Sequence, residues 1–307
     1  MKQPKAAVRR RAVEGSALPD GNLCVRKGYG MHATIEGLST VARHELRGAL
    51  RGRMLLGFAA LFTLLSLGIT LAGLGGSGQV LVQGFARTGV SLLGIAVYLL
   101  PLLGLVVGAA AFGSEDGGTE LLVAQPVERW EVLLGRVIGL CAALALVAAA
   151  GYGAAAALVL ARVGVAGIGG YLLVAGGSTA VGLAGVTVGV LLGVVARRRG
   201  AAVGWALGVW FAAAVLYDLA AIGVLQVVGS GEPGGWLVAI LAANPIDGVR
   251  TMGLVSLGAD VLLGPTGAAL HRLMGPLGGG AWVAASLVAW VALPVVVAAR
   301  LYARRDF

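Results

Sequence analysis

Six apolar runs, each close to the length of a membrane span, constrain this chain more than any other feature. Soluble domains carry about 25% charged residues, whereas this chain of 307 residues carries 12%. A helix needs roughly 20 residues to cross about 30 Å of hydrocarbon. The sequence therefore predicts an all-α membrane protein with about six transmembrane helices. The apolar runs are residues 54–74, 89–112, 137–160, 171–195, 201–228 and 282–299.

Clusters of arginine predict how these spans are oriented. The formal net charge is +9, and basic residues gather before the first run, at Arg197–Arg199, and after the last run at Arg300, Arg304 and Arg305. Cytoplasmic flanks of membrane spans carry an excess of Lys and Arg. With six spans, all three clusters fall on one side. We expect a multi-pass protein of the cell membrane with both termini in the cytoplasm, whose basic charge faces the lipid bilayer and not a nucleic acid.

Two segments precede the first span. Residues 1–30 are polar, lack the apolar core of a secretory signal, and are expected to form a disordered basic tail before a membrane domain over residues 31–307. Apolar residues recur at helical spacing over Ala33–Arg53, which predicts an amphipathic helix at the membrane surface. Its polar face is expected to carry Arg43, Glu45 and Arg47.

The most charged interior stretch, Gly113–Arg136, separates the second and third runs. Charges are costly in a bilayer core, so this stretch is expected in the cytoplasm. Gly117 and Gly118 permit a turn, Thr119 is a helix cap, and Pro126 ends a short helix. Two interpretations remain open from the spacing alone: an ordinary loop, or a surface helix that a soluble partner pushes.

The long segment between the fifth and sixth runs, residues 229–280, is too apolar for a soluble loop. Asn244 as cap with Pro245 at the first helical position predicts one short helix, and Gly267–Met274 is predicted to form another. We expect both to lie on the outer face or to re-enter the membrane. They either seal the bundle or take part in substrate handling.

Asp218 is the one acidic residue inside a predicted span. A charge in hydrocarbon costs roughly 3 kcal/mol or more, so its side chain should face protein or water. Either it lines a substrate path, or it lies near the outer interface and bonds Tyr217 or a backbone amide. The predicted path residues are Asp218, Asn244, Asp247 and Arg250.

Motifs for catalysis or metal binding are absent from the sequence. A Walker A motif needs Gly-Lys-Ser/Thr, and the lysines are Lys2, Lys5 and Lys27. There is no HExxH and no GxSxG motif, and the histidines and cysteines form no cluster. Met252, His271 and Met274 do not define a metal site. The chain is therefore expected to bind no cofactor and no metal, and not to be an enzyme.

The charged stretch resembles the cytoplasmic coupling segment of ABC-2 type transporter permeases. Acidic residues, Gly and Thr are followed by an acidic-leucine run, a small residue, Gln and Pro. The resemblance implies that this segment docks on a separate ATPase, which binds the ATP, and that the permease forms a homodimer. The residues it assigns to coupling are Glu115, Glu120, Leu121, Leu122, Gln125, Pro126 and Arg129.

Other segments resemble one branch of that family, the NosY-type permeases of nitrous oxide reductase maturation. These are residues 43–53, residues 90–102, and residues 244–268 of the long external segment. The branch implies a cargo, either a sulfur species or copper-related, for assembly of a copper–sulfide centre, and an extracytoplasmic maturation protein as partner. Two alternatives remain open: an ABC-2 exporter of a drug, lipid or polysaccharide, and a non-transporting membrane anchor.

Overall fold

A computed structural model describes residues 30–75, 84–113, 129–196, 198–228, 243–259 and 264–304. All regular structure in these residues is helical. The helices are α1 (Gly30–Arg51), α2 (Arg53–Gly75), α3 (Gly84–Phe112), α4 (Arg129–Val163), α5 (Ile168–Ala196), α6 (Arg199–Phe211), a π-helical turn (Ala212–Leu216), α7 (Tyr217–Val228), α8 (Pro245–Ser256) and α9 (Gly264–Ala303).

Six segments of the described chain are long and apolar enough to cross a membrane: α2, α3, α4, α5, α6 with α7, and the second half of α9. The prediction of six spans is therefore confirmed. The third and fourth spans, α4 and α5, pack inside the bundle, because 56% of the most apolar part of each is buried. Only 6% is buried for the α6–α7 span, which lies on the periphery.

The centre of the bundle is the contact between α3 and α5, where glycines bring the two backbones together. A Cβ at Gly185 would lie 2.7 Å from the carbonyl oxygen of Pro101, and one at Gly193 would lie 2.7 Å from that of Ala109. A Cβ at Gly108 would lie 2.9 Å from the backbone nitrogen of Val190. Real carbon atoms do not come so close, so side chains larger than hydrogen are excluded. Small residues allow this packing within membranes, where apolar burial alone does not drive association.

The two ends of the bundle differ in charge. One end of the bundle carries α1. The last turn of α3, the start of α4 and the end of α9 lie together at that end. Arginines gather at this α1 end, whereas the described arginines of the opposite end, to which α8 belongs, are Arg87, Arg162 and Arg250. The arginines of the α1 end with described side chains are Arg43, Arg47, Arg51, Arg53, Arg136, Arg198, Arg199, Arg300 and Arg304.

Helix α8 enters the bundle from the opposite end and stops about halfway through it. Its last residue, Ser256, lies beside Gly170 near the start of α5, and Val249 lies beside Gly177. Its cap residue, Asn244, reaches Ala213 in the middle of the α6–α7 span. Asn244 lines a cavity together with Val181 of α5. At a rise of 1.5 Å per residue, Val181 lies about 20 Å along α5 from the start of that helix. Helix α8 is therefore re-entrant, one of the two arrangements expected from the sequence.

Two sequence-based expectations are wrong. Gly267–Met274 is not a separate short helix, because α9 runs without a break from Gly264 to Ala303. Helices within membranes tolerate internal Gly and Pro because neighbouring groups satisfy the freed backbone. Glu45 is not on the solvated face of α1, because that part of α1 packs on α4 and Glu45 pairs with Arg136 there. Of the predicted tail, residues 1–30, the structure describes only Gly30, which begins α1, and residues 1–29 lie outside the described residues.

Candidate functional site

A cluster of polar side chains lies where α8 meets α3 and α7, in the half of the bundle nearer the α8 end. We call it the polar cluster. Arg250 on α8 is its centre. Its guanidinium donates a 3.1 Å hydrogen bond to the hydroxyl of Tyr98 on α3 and lies 3.7 Å from the carboxylate of Asp218 on α7. The members of the polar cluster are Tyr98, Asp218, Asn244, Asp247 and Arg250.

Asn244 fixes the inner end of α8 by satisfying each of its own polar atoms. Its side-chain oxygen accepts a hydrogen bond from the backbone of Ile246 at 3.1 Å, as an N-cap does. Its amide group donates to the carbonyl of Ala213 at 2.8 Å and to the carboxylate of Asp247 at 3.0 Å. Asn244 is 3% exposed. It therefore holds α8 to the α6–α7 span, and its side chain has no free group to offer a ligand.

The π-helical turn explains why a carbonyl of that span is available to Asn244. An α-helix bonds each interior carbonyl to the amide four residues on, and a π-helical turn disturbs this ladder. Ala213 lies within the turn Ala212–Leu216. The Asn244 amide therefore bonds a carbonyl at the point where the regular α-helical hydrogen bonding is interrupted. This bond joins the π-helical turn to the start of α8.

The electrostatics of the polar cluster favour a proton on Asp247. Burial raises the pKa of Asp247 most, the nearby Asp218 raises it further through its charge and a hydrogen bond, and the resulting pKa is about 7. Arg250 and the Asn244 amide act in the opposite direction. With Asp247 protonated, Asp218 and Arg250 balance each other, and with Asp247 ionised, these three side chains carry one net negative charge. The pKa falls near neutral pH, so both states are accessible.

The polar cluster is open on one side and borders a small cavity on another. The side chains of Asp218 and Arg250 are 37% and 46% exposed, so they are available to a ligand, to water or to a second chain. Beside Asn244 is an apolar cavity of about 140 Å³, whose walls include Pro101, Ala213 and Trp290. The described residues thus place charged groups within the bundle, beside the half-length helix α8.

The structure brings together the four residues predicted to line a substrate path, Asp218, Asn244, Asp247 and Arg250, although it does not test that role. Of the predicted coupling residues, Glu115, Glu120, Leu121, Leu122, Gln125 and Pro126 lie outside the described residues, and Arg129 begins α4. The side chains of His271 and Met274 likewise lie outside the part of the chain that the structure describes. Within the described residues, no group of three His, Cys, Asp or Glu side chains is placed to hold a metal ion.

Sequence reasoning missed two contributors. Tyr98 lies in the second apolar run without any local sign of a partner, and only its position opposite Arg250 identifies it. The ion pair of Glu45 with Arg136 joins residues 91 positions apart. Glu45 stands at helical spacing from Val41 and Ala42, which pack on α4. That spacing is the feature of the sequence that could have indicated a buried position for Glu45.

Comparison with known proteins gives one family match and two similar proteins. A family profile described as ABC-2 family transporter protein matches residues 39–307. The chain is 34% identical over 274 residues to the probable ABC transporter permease protein NosY of Pseudomonas aeruginosa, which covers 87% of this chain and 98% of that protein. It is 31% identical over 284 residues to the protein of the same name from Stutzerimonas stutzeri, which covers 86% of this chain and 97% of that protein.

Proposed function

The chain belongs to the ABC-2 family of transporter proteins, and we propose that it serves the assembly of the copper–sulfide centre of nitrous oxide reductase. It is a transmembrane permease subunit of an ABC transporter. One observation carries the more specific proposal: the similarity to two permeases named NosY extends over 97% or more of each. It therefore includes α8 and the polar cluster, and not only the spans that permeases of this class share.

A separate ATPase subunit supplies the energy in this proposal. The full sequence has no Walker A lysine motif, so ATP would bind on the partner and no cofactor on this chain. We place both termini and the α1 end in the cytoplasm, because arginines gather there and the positive-inside rule relates such clusters to the cytoplasm. The segment between α3 and α4 then lies where a cytoplasmic ATPase reaches it.

The proposed docking element is the segment from Glu115 to Arg129. Its leucines offer an apolar contact and its charges a polar rim, as protein interfaces require. Leu122→Asp should place an unpaired charge in that contact and reduce recovery of the ATPase with purified permease. Leu122→Met is the matched control. Equal recovery with Leu122→Asp, together with unchanged reductase maturation, would remove this segment as the docking element.

The proposed cargo path passes the polar cluster, because it is where charged side chains approach the middle of the bundle. Arg250 and the carboxyls of Asp218 and Asp247 would contact a small polar cargo, either a sulfur species or one related to copper delivery. We further propose that two copies form the transporter. The support is that the α6–α7 span is largely exposed although it carries Asp218, and a second copy would cover it. An extracytoplasmic maturation protein would receive the cargo at the α8 end.

The decisive experiment is deletion of this chain in its own host, grown with nitrous oxide as electron acceptor. We expect nitrous oxide reductase to be made and exported but to lack its copper–sulfide centre, as judged by its optical spectrum and copper content. Restoring the wild-type chain should restore the centre. A fully metallated and active reductase from the deletion strain would contradict the maturation role and favour a general exporter.

A further inference from the structure

Arg136 on α4 joins several helices at the α1 end. Its Nε donates a 3.1 Å hydrogen bond to the carboxylate of Glu45 on α1, and an Nη donates a 2.7 Å hydrogen bond to the carbonyl of Ala111 in the last turn of α3. Its guanidinium carbon lies 4.4 Å from the centre of the Phe112 ring. That ring packs edge to face with Tyr302 near the end of α9, with 6.2 Å between the ring centres. We call these five residues the Arg136 junction.

The Arg136 junction differs from an ordinary surface ion pair. The side chains of Arg136 and Glu45 are only 15% and 19% exposed, whereas the ion pairs that contribute little to stability are those exposed to water. The backbone around it is built for a close approach of α1. A Cβ at Gly135 would lie 2.8 Å from that of Val41, and a Cβ at Gly139 would lie 2.6 Å from the carbonyl oxygen of Ala42. The two glycines therefore bring α1 against α4 on either side of Arg136.

The chemistry of the contact requires arginine. A guanidinium is planar and carries five N–H donors in a fixed fork, so it donates in two directions and stacks on a ring at the same time. A lysine ammonium carries the same charge but has no plane to stack on Phe112. The carbonyl of Ala111 also belongs to the C-terminal turn of α3, where backbone acceptors lack helical partners and a cation is favourable.

The position of the junction in the chain suggests its role. Ala111 and Phe112 end α3, and Arg136 is in the third turn of α4. Between these two helices runs the connection proposed above to dock on the ATPase. Arg136 therefore ties the two ends of that connection to each other, and it also ties them to α1 and, through Phe112, to α9. A displacement of either end must move this group of helices together or break the Arg136 contacts.

We propose that Arg136 is a positioning residue for coupling: it holds the ends of α3, α4 and α1 as one unit, so that ATPase movement is passed to the transmembrane helices. This inference rests on the proposed ATPase partner. A purely structural role predicts that loss of Arg136 lowers stability and insertion. A positioning role predicts an inserted, stable permease that still binds its ATPase but no longer couples to it.

The test compares permease–ATPase complexes purified with wild-type, Arg136→Gln, Arg136→Lys and Glu45→Gln chains and reconstituted into lipid nanodiscs. Recovery of the ATPase, the thermal midpoint, and KM and kcat for ATP hydrolysis are measured. We expect unchanged recovery and KM with a change of about tenfold in kcat for both Arg136 variants, and a smaller change for Glu45→Gln. Arg162→Gln, an exposed arginine at the far end of the same helix, is the control and should match wild type in every measurement.

The outcomes distinguish a wrong ATPase partner from a wrong role for Arg136. If no ATPase is recovered with wild-type permease, the proposed partner is wrong. If the ATPase is recovered and Arg136→Gln hydrolyses ATP with wild-type kcat, or Arg136→Lys restores it fully, the positioning role of Arg136 is wrong. If Arg136→Gln fails to insert, Phe112→Leu replaces it, because that change removes the ring without leaving an unpaired charge. Wild-type kcat in Phe112→Leu would then overturn the proposal.

Discussion

Arg250 and Asp218 lie 3.7 Å apart and form an ion pair that joins the re-entrant helix α8 to α7. They are 32 positions apart in the sequence, and Asp247, three residues before Arg250 on α8, adds a second acidic neighbour of Arg250. The pair is half exposed, so its contribution to stability should be small, about 1 kcal/mol or less. Because the pair lies on the cargo path proposed above, we expect it to matter more for transport than for folding.

Asp218→Asn should therefore leave insertion and stability close to wild type but reduce maturation of the reductase. Asn keeps the size of the side chain and removes the charge that faces Arg250. Copper content of the purified reductase in a complemented deletion strain is the measurement, and Arg87→Gln, an exposed arginine at the same end, is the control. Full activity of Asp218→Leu would mean that Asp218 is only tolerated where it lies.

Asp247 should make the stability of the protein depend on pH between 3.8 and about 7. Burial and the nearby Asp218 together raise its pKa in the folded protein from 3.8 to about 7, so the folded state keeps this proton at pH values where the unfolded state has lost it. Stability contributed by this group is therefore present at low pH and declines as pH rises through that range. The thermal midpoint of wild type minus that of Asp247→Asn should fall by a few degrees from pH 4.5 to pH 8. A pH-independent difference would contradict the raised pKa.

Asn244→Ala should loosen α8, because it removes a helix cap and the bond to Ala213 together. Loss of a cap alone costs about 1 kcal/mol, and the half-buried Ala213 carbonyl loses its donor as well. Asn244→Asp is the informative companion, since it retains a cap acceptor but cannot donate to Ala213. We expect Asn244→Ala to lower the thermal midpoint and Asn244→Asp to lower it too. If the aspartate variant matched wild type at pH 7, the bond to the π-helical turn would be dispensable.

Gly108→Ala should destabilise the bundle by about 1–3 kcal/mol. The added methyl would meet the backbone of α5 near Val190, and backbone cannot move aside as a side chain can. Gly94 lies on the same helix with open space around it, so Gly94→Ala is the matched control and should be neutral or slightly stabilising. The yield of monodisperse protein in mild detergent and its thermal midpoint provide the comparison. Similar behaviour of the two variants would contradict the close α3–α5 contact.

Cysteines at positions 198 and 235 should label from opposite sides of the membrane. Arg198 lies exposed at the α1 end, and position 235 belongs to the connection between α7 and α8. In a background without Cys24 and Cys141, an impermeant thiol reagent applied to intact cells should modify only position 235. Modification of both positions from the same side would overturn the proposed topology with cytoplasmic termini.

The sequence predicted the spans well because span length and low charge are local properties. In a bilayer, a run of about 20 apolar residues must satisfy its backbone hydrogen-bonding groups internally. A helix does this without help from other segments. The cap at Asn244 was also predictable, since Asn before Pro at a helix start depends on neighbours along the chain. A separate helix over Gly267–Met274 was not found, because the helix that starts at Gly264 continues without a break to Ala303.

What the sequence determined by itself is the class of the protein, the number of its spans and the residues that stand out as polar within them. Only the tertiary structure decided which of these residues meet. Asp218, Asp247 and Arg250 converge because α8 enters the bundle beside α7, and Arg136 reaches Glu45 because two glycines let α1 approach α4. Such contacts join residues far apart in the chain, and their geometry depends on how helices pack, which hydropathy and spacing do not encode.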